Sequence, residues 1–392
     1  MSSKQPDEGV INSKSFKNAL LNCQRPTEDA SSLPSACYHS DEVLQSEINT
    51  LFYKGWLGLG RADRFKESGQ YETMEVADVS VILIRDKDAN LRAFNNACRH
   101  RGSRLLEGDG KCRAIRCPFH CWNYSIDGQL VAASHMEQTK DFDFKTSGLL
   151  EFELKTHAGF IFVCFSPTPP DFEKHIGNFD QIHSPWPIES LISTRRIRFE
   201  SDCNWKLFLD VFNEYYHLPY VHPDSINDVY KEPDAGDKTS GAYASQFGET
   251  EGTGGLLTAE QSHALPPIPG LSGRSSRGTR YTWVFPNMTF AASNEAMWIY
   301  ETYPLGPRRC AVYQTICFPK QSIDLETFET KVQHYYDRFD AAVGEDCVAL
   351  KNQQLGLNSP FTSPGRYSVG MEPNVSAFAS WYAAKFQSVF KD

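Results

Sequence analysis

Two Cys and four His occur at spacings that could hold metal. The segment NACRHRGSRL contains Cys98-x-His100, and CPFHCW further on supplies Cys117-x-x-His120. Each pair sits on a loop marked by Gly or Pro, so the two can converge as fingers on one centre. Two thiolates and two imidazoles suit tetrahedral zinc, or a 2Fe-2S cluster with Cys on one iron and His on the other. Zinc ribbons usually space both pairs by two residues, so the single residue between Cys98 and His100 argues for the cluster. A lone Cys or His is more often packed core or surface; the combined spacing of the four carries the argument. In CNWKLFLDVFNEYYHLPYVHP, His217 and His222 lie five residues apart. On a continuous helix that separation puts them ~140° apart. Pro219 interrupts the helix and lets the chain turn both imidazoles to one point. Two neutral His with one carboxylate and open positions make the facial triad of non-haem Fe(II), although two His in an aromatic-rich loop also suit ordinary packing. Glu214, three residues before His217, lies about 60° off the same helical face, where its carboxylate can reach the second ring nitrogen of a ligating His. Asp210, seven residues before His217, is a further candidate on that face.

Short strands and helices must position these groups. The first ~35 residues, rich in Ser, Asn, Asp and Pro, read as a loosely ordered arm. Ser40 then caps a helix whose Leu44, Ile48, Leu51 and Phe52 recur at helical spacing and which ends near Gly55. From Trp56 to about Ser166, short β-branched and aromatic runs such as Val79 to Ile84, Leu91 to Phe94, Ala114 to Cys117 and Gly159 to Phe165 read as a small antiparallel all-β domain. Pro167 to Gly177 reads as a linker. Arg196 to Asp202 reads as a strand, Asn204 to Tyr216 as a helix, and Asp228 to Arg277 as a long irregular segment of the kind that forms lids and binding loops. Arg280 to Phe285, Met288 to Ala292, Met297 to Tyr303 and Cys310 to Phe318 read as four successive strands, followed by helices over Leu325 to Ala342 and Glu345 to Leu355.

The chain has 392 residues with a net charge of −10 and 40% hydrophobic content, which is globular and long enough for two to three domains. The acidic balance and the lack of a basic run argue against nucleic acid or an anionic membrane surface as partner. The longest apolar runs, Val79 to Ile84 and Gly159 to Phe165, fall far short of the ~20 residues of a spanning helix. The polar opening MSSKQPDEGV has no apolar core of a signal peptide, so a cytoplasmic location is expected. There the 11 Cys read as thiols or metal ligands. Cys121 and Cys112 have no assigned partner and read as free thiols.

CRHRG followed by CPFHCW resembles the Rieske motif of the Rieske non-haem iron oxygenases, the ring-hydroxylating alpha-subunit family. The resemblance implies Cys98 and Cys117 as thiolate ligands, and His100 and His120 as imidazole ligands, of a 2Fe-2S cluster. Such His ligation raises the potential into a range of roughly −150 to +300 mV. Asn204-Trp205-Lys206 with Glu214-x-x-His217-x4-His222 is similar to the family's mononuclear iron motif. VGEDCVALKNQQLGL resembles the segment that supplies the acidic ligand. It implies Asp346, near the start of a helix whose Leu350 and Gln353 share its side, with Glu345 as the other possibility. The likeness runs from about Ser40 to Asp392. It implies an α+β fold: an N-terminal arm and helix over 1–54, an all-β Rieske domain over 55–166, and a catalytic domain over 167–392. The catalytic domain would be a helix-grip arrangement, a curved antiparallel sheet around a long helix.

The implied partners are a flavin or iron–sulfur reductase, or a ferredoxin, carrying electrons from NAD(P)H, and two further copies of the chain in a homotrimer. Glu214 would link the Rieske His of one subunit, here His120, to the iron His of its neighbour, here His217. Glu at this position, where ring dioxygenases usually have Asp, is similar to the branch acting on choline, glycine betaine and carnitine. Aromatic faces hold such cations, and Phe208, Phe212, Tyr215, Tyr216, Tyr220, Trp283, Phe285, Phe290, Trp298 and Tyr300 are available. Three readings remain: an oxygenase of quaternary ammonium compounds, an oxygenase of aromatic rings or aryl methyl ethers, and a Rieske electron carrier with a non-catalytic appendage.

Overall fold

The computed structural model describes residues 9–387 and 389–391, and the polar segment 1–8 lies outside the described residues. The chain forms two compact units, one from Phe52 to Pro169 and one that joins the chain before it to the chain after it.

The inserted unit is all antiparallel β. Its strands are β1 (Leu57–Arg61), β2 (Gln70–Val76), β3 (Val79–Arg85), β4 (Leu91–Asn95), β5 (Asp109–Lys111), β6 (Ala114–Arg116), β7 (Asn123–Ser125), β8 (Leu130–Ala132), β9 (Glu151–His157) and β10 (Phe160–Cys164). Seven of them pair in the order β1-β10-β9-β4-β3-β2-β5, and β6-β7-β8 form a separate three-stranded sheet. Ile82, Ile84, Phe94, Ile115, Trp122 and Tyr124 make a core that also buries Cys98 and Cys117.

The other unit is built on the sheet β11 (Ile192–Ser201), β12 (Tyr243–Glu249), β13 (Gly278–Val284), β14 (Met288–Ala292), β15 (Met297–Gly306) and β16 (Arg309–Phe318), paired in the order β11-β16-β15-β14-β13-β12. The helices used below are α1 (Lys14–Cys23), α2 (Asp41–Glu47), α3 (Trp205–Phe212), α4 (Leu218–Val221), α5 (Phe328–Leu357) and α6 (Pro373–Phe386). The sheet packs on α5 through Trp298 against Phe339, ring centres 4.9 Å apart, and Phe318 against Tyr335, 5.1 Å apart.

Several expectations change. Residues 9–35 of the expected loose arm are ordered instead: Ser13 caps α1, which buries Phe16, Leu20 and Cys23 at helical spacing. Ser40 caps α2 as expected, and Glu47 at its end is fully buried. The Glu47 carboxylate accepts from Lys206 Nζ at 2.6 Å, Trp205 Nε1 at 2.8 Å and Tyr382 Oη at 2.7 Å, locking α2 to α3 and α6. Within the expected linker, Asp171 caps a short helix over Phe172–Ile176. The irregular stretch 228–277 contains β12, a strand buried along most of its length beside β13. The two late helices are one 30-residue helix, α5, because Gly344 sits inside it without breaking it. Asp346 therefore lies in the second half of a long helix, not near a start. Gln353 is exposed, and Gln354 is the buried neighbour, accepting the Asn204 N–H at 2.8 Å.

Candidate metal centres and active-site cavity

In the β unit, one loop between β4 and β5 carries Cys98 and His100, and another between β6 and β7 carries Cys117 and His120. Both loops close on their own backbone. Cys98 N–H donates to Ser103 O and Gly102 N–H to Cys98 O, each at 2.8 Å, with Gly102 at φ +73°. Cys117 N–H donates to Trp122 O at 2.8 Å. The two cysteines are buried, whereas His100 is half-buried and His120 exposed. The imidazoles meet with their Nδ1 atoms 3.2 Å apart, and His100 stacks on Trp122 at 4.9 Å. Burial raises the Cys117 thiol, but N–H groups of His120 and Phe119 stabilise its thiolate and bring it below the ordinary value. Tyr124, which the sequence reading passed over, places its hydroxyl 3.2 Å from Cys98 Sγ. Cys121 is exposed and free. A thiol pair on the buried side and an imidazole pair on the exposed side are the donor set of a cluster whose two irons differ in ligands.

In the other unit, α3 ends at Phe212, earlier than expected, and Glu214 lies in the turn before α4. It is the turn, not a helical face, that brings its carboxylate to His217. Glu214 accepts the backbone N–H groups of Tyr216 and His217, and its Oε1 lies 2.5 Å from His217 Nδ1. Pro219 falls in the first turn of α4, where a missing N–H costs nothing, and His217 and His222 flank that single turn. His222 Nδ1 lies 2.6 Å from Glu345 Oε2, which also accepts from Ser225 Oγ at 2.8 Å.

With both Nδ1 atoms so held, both Nε2 atoms face Asp346, whose Oδ1 lies 3.0 Å from that of His222 and 3.6 Å from that of His217. His217, His222 and Asp346 thus offer three donor atoms within 4.8 Å of one another. Glu345 points at the far ring nitrogen of His222. Imidazoles fixed through their second nitrogen by carboxylates, around a third carboxylate, fit a divalent iron. Burial lowers the His217 pKa, but the Glu214 carboxylate outweighs it and leaves the ring above its ordinary value. Asp210 stands apart: it accepts from Tyr38 Oη at 3.4 Å, and burial pushes its carboxyl up to about 8.

These residues open onto a cavity. Of the aromatic residues available in the sequence, Phe208, Phe212, Tyr215, Trp298 and Tyr300 line it, joined by Tyr281 and Arg338. Tyr216 and Tyr220 are exposed, while Trp283, Phe285 and Phe290 belong to the core, Trp283 stacking on Phe378 at 3.9 Å.

Residues 188–388, just over half of the chain, match the family described as the ring hydroxylating alpha subunit (catalytic domain), and residues 55–143 match the Rieske [2Fe-2S] domain. The chain belongs to the Rieske ring-hydroxylating oxygenase family. It is therefore the terminal oxygenase of a Rieske system, an enzyme and not a bare electron carrier. It is 25% identical over 398 residues to the glycine betaine monooxygenase oxygenase subunit of Pseudomonas aeruginosa, spanning 94% of this chain and 92% of that protein. It is 28% identical over 367 residues to the chloroplastic choline monooxygenase of Beta vulgaris, spanning 91% and 77%. In fold it superposes on the quaternary ammonium Rieske monooxygenase CntA, solved with L-carnitine, with a TM-score of 0.77, 23% identity and coverage of 95% and 99%. Naphthalene 1,2-dioxygenase from Rhodococcus superposes with a TM-score of 0.78 at 19% identity, covering 96% and 99%, so the fold by itself does not separate the two substrate classes.

Proposed function

We propose that this oxygenase hydroxylates a methyl or methylene group of a small quaternary ammonium compound, with N-demethylation where the carbinol lies next to nitrogen. The observation that carries this reading is the aromatic wall of the cavity, where Phe208, Phe212, Tyr215, Tyr281, Trp298 and Tyr300 surround the His217, His222 and Asp346 donors. Ring faces attract a trimethylammonium group by cation–π interaction and exclude water from it. The 25% identical relative that oxidises glycine betaine and the 28% identical one that oxidises choline support the same class.

In this reading Cys98, Cys117, His100 and His120 hold the 2Fe-2S cluster, and His217, His222 and Asp346 hold iron. When bound there, the cluster would supply electrons one at a time and the iron would supply activation of O2. Glu345 and Glu214 hold the Nδ1–H of His222 and of His217, which keeps each Nε2 free to ligate. Overall, one C–H bond, O2, two electrons and two protons give one C–OH and one water. A hydroxymethyl group on nitrogen then breaks its C–N bond to release formaldehyde, a proton and the demethylated amine. The electrons come from NAD(P)H through a separate reductase. Glu214 links the cluster of one subunit to the iron of the next in a homotrimer, a role consistent with the inter-subunit electron transfer described for a structural relative. NADH-dependent O2 uptake with a surrogate reductase, run against betaines, choline and methoxybenzoates, tests the reading. Turnover of a trimethylammonium compound is expected, with formaldehyde in step wherever an N-methyl group is hydroxylated, and turnover confined to methoxybenzoates would overturn it.

A further inference from the structure

The cavity carries a buried cation in direct contact with no carboxylate, although Asp346 on the same wall attracts it from a distance. Arg338, on α5, lines the cavity, is 4% exposed, and is paired with no carboxylate among the described residues. Its Nη2 donates to Tyr230 Oη at 3.2 Å, and the guanidinium lies 5.3 Å from the Trp298 ring centre and 5.0 Å from that of Phe339. Its Nε is buried without a hydrogen-bond partner, and so is the indole Nε1 of Trp298, another lining residue. Aromatic faces and a phenol offset only part of the cost of burying a full charge; an anion is what such a site lacks. Two unsatisfied N–H donors, one of them cationic, are met together by a group that only accepts and carries negative charge, which is the chemistry of a carboxylate. Arg338 precedes Asp346 by eight residues of continuous helix, about 12 Å along the axis, so an anion-binding end and an iron-binding end are separated by the length of a small molecule plus an arginine side chain.

We propose that Arg338 is a substrate-binding residue that pairs with a carboxylate of the substrate, with Trp298 Nε1 as a second donor. The enzyme then takes zwitterionic betaines and discriminates against choline, whose cation would lie near the guanidinium with nothing to neutralise it. The zwitterion rests on the quaternary ammonium reading above; the carboxylate end does not.

The test compares kcat/KM for glycine betaine, its neutral amide, choline, 4-methoxybenzoate and 4-methoxybenzamide. Wild-type enzyme should prefer glycine betaine to its amide by about 30-fold or more, the discrimination expected when one member of a buried charge pair is missing. Arg338→Gln should lower kcat/KM for glycine betaine by a similar factor, leave the amide nearly unchanged, and preserve the visible spectrum of the cluster and the iron content. Arg338→Lys should fall between. A merely structural role for Arg338 would lower all substrates together and would overturn the proposal. So would wild-type enzyme that takes choline or the amide as readily as glycine betaine, a comparison that stands even if the variant does not fold. If only 4-methoxybenzoate turns over, and is preferred to its amide in an Arg338-dependent way, the carboxylate pairing holds and the quaternary ammonium reading fails.

Discussion

Glu345 and Asp346 are adjacent acids on α5 with different contacts, and replacing each in turn separates the roles proposed for them. Glu345 Oε2 accepts from His222 Nδ1 at 2.6 Å and from Ser225 Oγ at 2.8 Å, and His222 is 1% exposed. Glu345→Gln keeps an acceptor oxygen for the Nδ1–H but removes its charge, and neutral hydrogen bonds are about half as strong as charged ones. Glu345→Ala leaves a buried N–H unpaired, at a cost of about 1–3 kcal/mol. Loss of such an outer partner typically weakens metal binding by about 10- to 100-fold, so Gln should sit near the lower figure and Ala near the upper. Asp346→Ala removes a ligand atom and should abolish stable iron binding at that site. The assay is Fe(II) retention against a graded chelator series, with the visible absorption of the cluster as an internal control that all variants should pass. The reasoning is refuted if Glu345→Gln strips the mononuclear iron as completely as Asp346→Ala, or if Asp346→Ala retains it.

Glu214→Gln, in iron-saturated protein, should keep both centres yet reduce substrate-coupled O2 uptake to near background; retained turnover would remove Glu214 from the electron path. Burial pushes the Asp210 carboxyl up to about 8, above its usual unfolded value of about 3.9, so the folded state holds the extra proton and its stability should fall as pH rises from about 4 to 8. Asp210→Asn should therefore gain stability relative to wild type progressively across that window in urea titrations, with a difference that stops changing below pH 4; a constant difference at all pH values would contradict the assignment. A Cβ at the exposed Gly344 meets nothing within 4 Å, so Gly344→Ala should stabilise the helix by up to about 1 kcal/mol, seen as a higher urea midpoint at unchanged slope.

What could be read from the sequence follows from how locally each feature is encoded. The proposed ligands were legible because metal chemistry restricts residue types and each pair lies within a few residues, as in Cys98-x-His100 and His217-x4-His222. The four late strands were legible from their apolar, β-branched runs. The cavity wall was not, since Tyr281 on β13, Trp298 on β15 and Arg338 on α5 meet only through the fold. Helical spacing, eight residues from Arg338 to Asp346, was the one available hint that both lie along one helix. Polar composition hid α1, although Phe16, Leu20 and Cys23 follow its pitch. Gly344 falls in the gap between the two expected helices; an interior Gly costs helix stability, and packing of the buried Tyr335, Phe339 and Leu350 on either side outweighs that cost. β12, with Gly and Ser in YASQFGE, lacks a strand's usual composition and is held by pairing with β13.

The central claim is that one chain carries a two-iron cluster and a separate iron held by His217, His222 and Asp346. Iron and acid-labile sulfide analysis of purified wild-type enzyme and of His217→Ala tests it most directly. Three irons and two sulfides per chain are predicted for the wild type, falling to two irons and two sulfides in His217→Ala with the cluster spectrum intact. Two irons in both proteins, or loss of sulfide on replacing His217, would contradict the account.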